Sequence, residues 1–454
     1  MSILLAARLA HRRSPLSARR AAAFACALLA VPALVRAQST YNGSLYSRYG
    51  VGELYANASP QALALGGGGT ALTSLSYVGF ANPAVLANQF LTRVTAGGTL
   101  QAIEIRDAFD DRSQRTEGSI GAVEFSFPLR NRRLGVGLQF APYSRVSYGV
   151  RTPGETRIPA PSGLGQDTVR YRVGFEGSGG LQRLGGALGA AVTKKLYVGA
   201  SAGVVFGVLE NGRRTTFQDR DGDVDARYSE LNVTASTRLV GFAATVGGLA
   251  RFDSLGGSDR HLHIGASFTV PTTLSGRRTR TLGESLDRDT LAASAKGEVK
   301  LPLGAQVGAA FYASPRVLLV ADALYEPWAQ YENTIGEAPL DERLSDRVRI
   351  SGGLEFRPAG AEPFASYARR ISYRVGAYVD RGYARPTLSA DDLTTVAVTG
   401  GFSLPSLFAG TRADLNFEVG QRGRTEGLLV RDRFLRLGLA LSIGERWFER
   451  SRLR

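Results

Sequence analysis

The chain has 454 residues, 55 glycines and a formal net charge of +15 at pH 7, room for one large barrel or two to three ordinary domains. Beyond residue 37 it contains no run of about 18 apolar residues, which excludes a helical membrane protein. The basic balance points first to nucleic acid or an anionic membrane, and the export signal at the N-terminus argues against nucleic acid.

Residues 1–37 read as that signal. Arg8, Arg12, Arg13, Arg19 and Arg20 form a basic lead without an acid, and 21–34 is an apolar core. Val35-Arg36-Ala37 makes a small-x-small cleavage site before Gln38. The one cysteine, Cys26, lies inside the core, and a lipoprotein-type cut before it would leave too few apolar residues. The mature chain then has no disulfide, no thiol nucleophile and no thiolate metal site.

Residues 38–90 lack strand periodicity. Gly66, Gly67, Gly68 and Gly69, then Ala81-Asn82-Pro83-Ala84, interrupt it, and glycine runs permit tight backbone packing. Tyr41, Leu45, Tyr46, Tyr49, Tyr55, Leu63 and Leu65 make the stretch too apolar for a disordered leader. A compact plug is expected here rather than barrel wall.

From residue 91 the period is two. Fourteen strands are expected, at 91–106, 118–129, 134–150, 167–194, 196–212, 226–252, 260–276, 286–313, 316–332, 345–358, 369–383, 393–405, 410–424 and 430–448. Many exceed the ~9–11 residues that cross a bilayer, so several project beyond it. In the last, Leu435, Leu437, Leu439, Leu441 and Ile443 alternate with Arg436, Gly438, Ala440 and Ser442. One face is aliphatic and ends at Trp447 and Phe448, the pattern of a lipid-facing strand reaching an aromatic girdle. Ala413, Leu415, Phe417 and Val419 alternate with Arg412, Asp414, Asn416 and Glu418; Val348, Ile350, Leu354 and Phe356 alternate with Arg347, Arg349, Ser351 and Glu355. Charges on every second residue of successive strands suit the wet inner wall of a wide barrel.

Connections 130–133, 194–195, 314–315 and 405–409 are short, whereas 107–117, 151–166, 211–225 and 333–344 are longer, the habit of outer-membrane barrels. The expected fold is all-β: a 14-stranded antiparallel transmembrane β-barrel over 91–448, with 38–90 as an N-terminal plug in its lumen. Residues 449–454 form a tail, and both termini are expected on the periplasmic side of the bacterial outer membrane. Outer-membrane lipids, and the barrel-assembly machinery during biogenesis, are the partners such a barrel implies.

The order of features resembles the FadL-type family of outer-membrane transporters for long-chain fatty acids and other hydrophobic compounds. Four stretches carry the likeness. They are Gly66 to Gly69 with Phe80-Ala81-Asn82-Pro83-Ala84, similar to the family's Asn-Pro-Ala hatch motif; Gly177-Ser178-Gly179-Gly180-Leu181; Leu301-Pro302 with Asp322 and Trp328; and the aromatic end Trp447-Phe448. The resemblance implies a hatch in the lumen, passive diffusion of an apolar ligand and a lateral opening in the wall. Another reading of such a barrel is a docking or shuttle component of a secretion or surface-attachment system.

Candidate residues follow. Pro142, with Gly135, Gly137, Tyr143 and Arg145 around it, marks the candidate wall opening, because proline removes a ladder donor and the family's third strand is kinked. Leu318, Val320 and Leu324 offer an apolar lining, with packing against the plug as the alternative; Arg347, Arg349, Arg374 and Arg412 are candidate partners of a ligand carboxylate. Asp219, Asp221, Asp223 and Asp225 with Glu230 mimic a calcium loop whose glycine, Gly222, is misplaced, so any calcium is expected to be loosely held. His261 and His263 share a strand face with no third ligand evident. No nucleophile elbow, phosphate loop or zinc motif is present; no enzyme and no other cofactor are expected.

Overall fold

Alternating apolar and polar residues carry this chain into a sheet that closes on itself. A computed structural model describes residues 44–446 apart from residue 75 and parts of the connections (107–111, 131, 160–165, 219–224, 226, 256–258, 284–288, 292, 337–343, 361, 363, 386–392, 407–409 and 426–429). The barrel strands are β1 (Thr92–Arg106), β2 (Arg112–Arg130), β3 (Leu134–Arg145, then Tyr148–Pro159), β4 (Gln166–Ala191), β5 (Leu196–Gln218), β6 (Leu231–Phe252) and β7 (His261–Thr269, then Thr272–Leu282). They continue as β8 (Ala295–Leu301, then Gly304–Ser314), β9 (Val317–Glu326), β10 (Arg347–Phe356), β11 (Ser372–Arg381), β12 (Thr394–Pro405), β13 (Arg412–Arg422) and β14 (Arg431–Glu445). This is the expected closed antiparallel barrel of 14 strands, shut by β1 and β14 from Thr92↔Glu445 to Arg106↔Arg431.

Leu435, Leu437, Leu439, Leu441 and Ile443 of β14 are 41–51% exposed while Ala440 and Ser442 between them are buried, so the aliphatic row faces outward. Trp447, Phe448 and the tail 449–454 lie outside the described residues. Several strand ends differ from expectation, by six residues or more at β5 (to Gln218 rather than 212), β7 (to Leu282 rather than 276), β8 (from Ala295 rather than 286) and β9 (to Glu326 rather than 332), and two further ends bear on the site. β2 begins at Arg112 rather than 118, and β3 runs on to Pro159 rather than 150. Both additions are polar on both faces, and beyond the hydrocarbon a strand needs no apolar row.

Residues 44–90 supply a 3-10 turn (Leu45–Arg48), a short strand (Glu53–Leu54), one helical turn (α1, Pro60–Ala64) and a second 3-10 turn (Pro83–Asn88). α1 meets β11, β12 and β13, whereas the Pro83–Asn88 turn meets β2 through β6. A segment that touches opposite arcs of a closed ring lies inside it. Leu65, Val78 and Leu86 are fully buried there. Ser44 donates to Asp432 and the Tyr46 hydroxyl to Val430 O, so the described chain starts at the rim where β14 begins, opposite to where β14 ends. Residues before 44, and with them the N-terminus, lie outside the described residues.

The wall is cut back where the segment presses on it. A Cβ at Gly199 would collide with the backbone of Pro83 and Ala84, and one at Gly247 with Asn82 Oδ1. Asn82 is fully buried; its Nδ2 donates to Thr70 O at 2.8 Å and Gly248 O at 2.9 Å. The substitution Gly247→Val is expected to displace Asn82 and strand buried polar groups at about 1–3 kcal/mol each. Faster proteolysis of 44–90 within an intact barrel checks this; unchanged protection contradicts it.

Candidate functional site

The wall has a breach. β2 and β3 pair only between Val123↔Phe140 and Arg130↔Leu134. Above that, residues 112–120 of β2 pair with β1, Gly121 and Ala122 lie in a register shift, and the upper half of β3 (Tyr148–Pro159) pairs with β4; among the described residues no ladder joins 112–122 to that upper half. Ile120 stands opposite Gly98, which stands opposite Leu439 in the middle of the outward aliphatic row. The ladder therefore stops at hydrocarbon depth, and Ile120 is 77% exposed.

Local sequence accounts for the break. Pro142, with no N–H for a ladder, follows two residues after the last β2 partner, and the register with β4 slips between Pro142 and Ser144. Opposite this hinge Gly179 and Gly180 of β4 take φ values of +100° and +148°, which favour glycine. Val146 N reaches across to Gly179 O at 3.0 Å.

The N-terminal segment occupies the edge that β2 leaves. Glu53 and Leu54 pair antiparallel with Arg145 and Ser144, and Tyr55 N donates to Tyr143 O at 3.0 Å. Ser144 Oγ donates to Val51 O at 2.6 Å, and Ser47 Oγ accepts from Ser147 N at 3.0 Å. From the other lip, Glu117 of β2 forms an ion pair with Arg145 and accepts from Ser147 Oγ at 3.0 Å. Side chains thus strap a gap that backbone does not bridge.

Behind the gap lies a cavity of about 190 Å³ lined by Ser119, Gly121 and Ala122 of β2, Ala141 and Pro142 of β3, and Leu63 of the segment. Across residues 54–57 a second cavity of about 130 Å³ holds Tyr143, Arg183 and Leu324. Glu53, which lines the first of these cavities, ties the segment to the wall: Arg422 Nη2 lies 2.5 Å and Arg436 Nη2 2.6 Å from its Oε1. Burial would raise the Glu53 pKa, but Arg422 and Arg436 outweigh it and hold the carboxyl well below the usual carboxylate range. Glu53 is the sole acid between residues 38 and 90, the one sequence signal of its role, and Glu117 carries none.

The other singled-out residues divide clearly. Gly66 and Gly67 have positive φ; Gly66 N donates to Thr399 Oγ1 at 2.9 Å, and Gly66 O accepts from Arg349 Nη2 at 2.8 Å. Gly68 and Gly69 lead to Thr70, whose N–H donates to Asp322 Oδ1 at 2.9 Å. Asn82 caps the turn that Pro83 and Ala84 open. Gly135 and Gly137 abut Leu86 O and the Phe80 ring, so they seat the segment rather than line the gap. Leu318 and Val320 pack on Ala62, Leu65 and Ala71, the packing alternative. Trp328 stacks on Tyr383 at 4.3 Å.

Of the four arginines, Arg347 is engaged by Asp380 at 2.7 Å and Glu326 at 3.1 Å, and Arg374 by Glu355 at 2.7 Å and Asp414 at 2.8 Å. Arg349 lies over the Tyr378 ring at 3.8 Å. Arg412 makes no ion pair among the described residues and donates to Ser403 Oγ at 3.3 Å. In the acidic loop, Asp219, Asp221 and Asp223 lie outside the described residues; Asp225 is held by Arg227 at 2.7 Å and Glu230 by Arg214 at 2.8 Å. His263 Nδ1 lies 3.0 Å from Thr73 Oγ1, which Tyr312 also approaches at 3.2 Å, a tether of segment to wall. His261 Nδ1 lies 3.3 Å from Asp253.

The family model described as BamG matches residues 19–454. No curated protein matches. Similar solved structures include a Pseudomonas aeruginosa FadL homologue at 13% identity and TM-score 0.56, covering 87% of this chain and 99% of that one. The Ralstonia pickettii toluene transporter TbuX follows at 16% and 0.53, covering 86% and 99%. The CymD monoaromatic hydrocarbon channel stands at 16% and 0.52, covering 86% and 98%. Likeness at this identity concerns the fold: the molecule is a closed β-barrel of FadL-type architecture.

Proposed function

We propose, from the premise that the chain belongs to the BamG family, that it is a passive outer-membrane channel for hydrophobic small molecules. Its guests leave the lumen sideways between β2 and β3, and the segment 44–90 is the hatch that must shift to let them pass. The observation that carries this reading is the missing ladder between residues 112–122 and the upper half of β3. Neighbouring folds whose names specify toluene and monoaromatic hydrocarbons support an apolar cargo.

At the long-loop end a vestibule of about 930 Å³ has Leu209, Leu239 and Val299 with Arg48, Arg213 and Arg280. That mixture suits an amphiphile with an anionic head, long-chain fatty acids among them. The short-turn rim then faces the periplasm. No reaction is assigned to the chain.

A second reading has one observation behind it. Phe364, 98% exposed on the 357–371 connection, favours docking of a periplasmic partner. Native mass spectrometry of gently extracted protein separates the two. A co-purifying fatty acid or hydrocarbon supports the channel; repeated recovery of an empty barrel with a bound protein overturns it.

A further inference from the structure

Beneath the segment, at the short-turn end, lies a chamber of about 480 Å³. Arg132, Arg251, Arg357, Arg374 and Arg412 line it against one carboxylate, Glu355. That carboxylate is already engaged by Arg374 Nε at 2.7 Å and Gln61 Nε2 at 2.7 Å. Arg374 is further neutralised by Asp414. The other cations are less fully neutralised; Arg251 Nη1 donates to the Tyr197 hydroxyl at 3.0 Å and to Asn88 Oδ1 at 3.3 Å. Arg132 and Arg412 make no ion pair among the described residues; the Arg132 guanidinium lies over the Phe90 ring at 5.5 Å. Arg251 Nε and Arg357 Nε are buried donors that meet no hydrogen-bond acceptor, although Arg357 Nε is 3.2 Å from Glu355 Oε1 and Arg251 Nη2 is 3.6 Å from Asp253.

An adjoining cavity of about 310 Å³ shares Arg357, Ser372 and Arg412, and adds Arg369 and Arg370. Its acid, Glu362, is held by Arg369 at 3.0 Å. Ser76 and Tyr77 of the segment also line the larger chamber. Its lining comes from β6, β7, β8, β9, β10, β11 and β13, so it spans the lumen mouth and opens to the aqueous side rather than to lipid.

We propose that this chamber binds a small, multiply charged phosphate-bearing anion from the periplasm, seated between the wall arginines and the underside of the segment. Guanidinium forks pair bidentately with phosphate oxygens, and one such group meets several forks where a single carboxylate meets one. The site is spatially separate from the gap, none of whose lining residues it shares, and it bears on transport only through the hatch of the proposed channel. A bound anion links wall to hatch and holds the hatch in place.

The test titrates pyrophosphate into the full chain in zwitterionic nanodiscs at fixed chloride, by calorimetry. Saturable binding is expected, weakened about tenfold by Arg412→Gln and again by Arg132→Gln, the size of one charged hydrogen bond. Pyrophosphate is also expected to slow proteolysis of 44–90. Heat-modifiable gel mobility verifies that each variant is folded, and Arg412→Lys is expected to retain part of the affinity. Repeating the titration with phosphatidylglycerol in the disc is expected to leave the affinity unchanged; competition would assign the site to a lipid headgroup and overturn the periplasmic source. Absence of saturable binding, affinity indifferent to both substitutions in folded protein, or binding of an acidic peptide where pyrophosphate fails overturns the proposal.

Discussion

Ala122→Trp is expected to lower delivery of a fluorescent long-chain fatty acid from the lumen into the bilayer of reconstituted vesicles by about tenfold or more, a barrier of about 1.4 kcal/mol. Ala122 is the first β2 residue above the last rung, Val123↔Phe140, and lines the cavity behind the gap with Ala141 and Pro142. An indole there fills the space a guest needs. No ladder bond is lost on the β3 side, because none exists at that height, and the barrel is expected to fold as before. Ile120→Trp is the control: its side chain is already exposed to lipid, and delivery is expected to stay within twofold of the parent. Equal transfer through parent and Ala122→Trp would remove the gap from the route.

Glu53→Gln is expected to free the front of the segment. The Glu53 carboxylate meets two guanidinium groups, on β13 and β14, and its side chain is 22% exposed. Breaking such a pair costs about 3–5 kcal/mol when it is fully buried; Arg436 keeps Glu418 at 3.0 Å, so the lower end applies here. Because the folded pKa is depressed, the tether contributes above the unfolded carboxylate pKa and is lost only as pH falls through the folded one, in strong acid. Parent protein is therefore expected to keep its segment protected at neutral and mildly acidic pH, while the variant loses protection throughout. Larger single-channel conductance and faster cleavage within 44–60 measure this; a variant as protected and as quiet as the parent would show that Glu53 does not hold the hatch.

What could be read in advance follows from how local each signal is. The row Leu435 to Ile443 declares its own geometry, since a period of two needs only neighbours along one strand. The polar ends of β2 and β3 carry no such row, and their pairing shows only when both partners are known. Pro142 marks where β3 bends, but the extent of the breach belongs to residues 112–122 and 148–159 jointly. Arg347 and Arg412 look alike in sequence; Asp380 and Glu326 on neighbouring strands engage the first, and no described acid pairs with the second, which meets only the Ser403 hydroxyl. Glu53 was visible as a lone acid, yet its partners stand 369 and 383 positions away, beyond the reach of any spacing rule.

The unladdered stretch of β2 has a consequence for the bilayer around it. Peptide groups at that depth find no strand partner on one side, and hydrocarbon offers them nothing. Lumen moisture and phospholipid ester groups are drawn toward this arc, so the membrane is expected to be thinner and wetter beside β2 than elsewhere on the circumference. A spin-labelled lipid series that reports uniform hydration depth around the whole perimeter would contradict this.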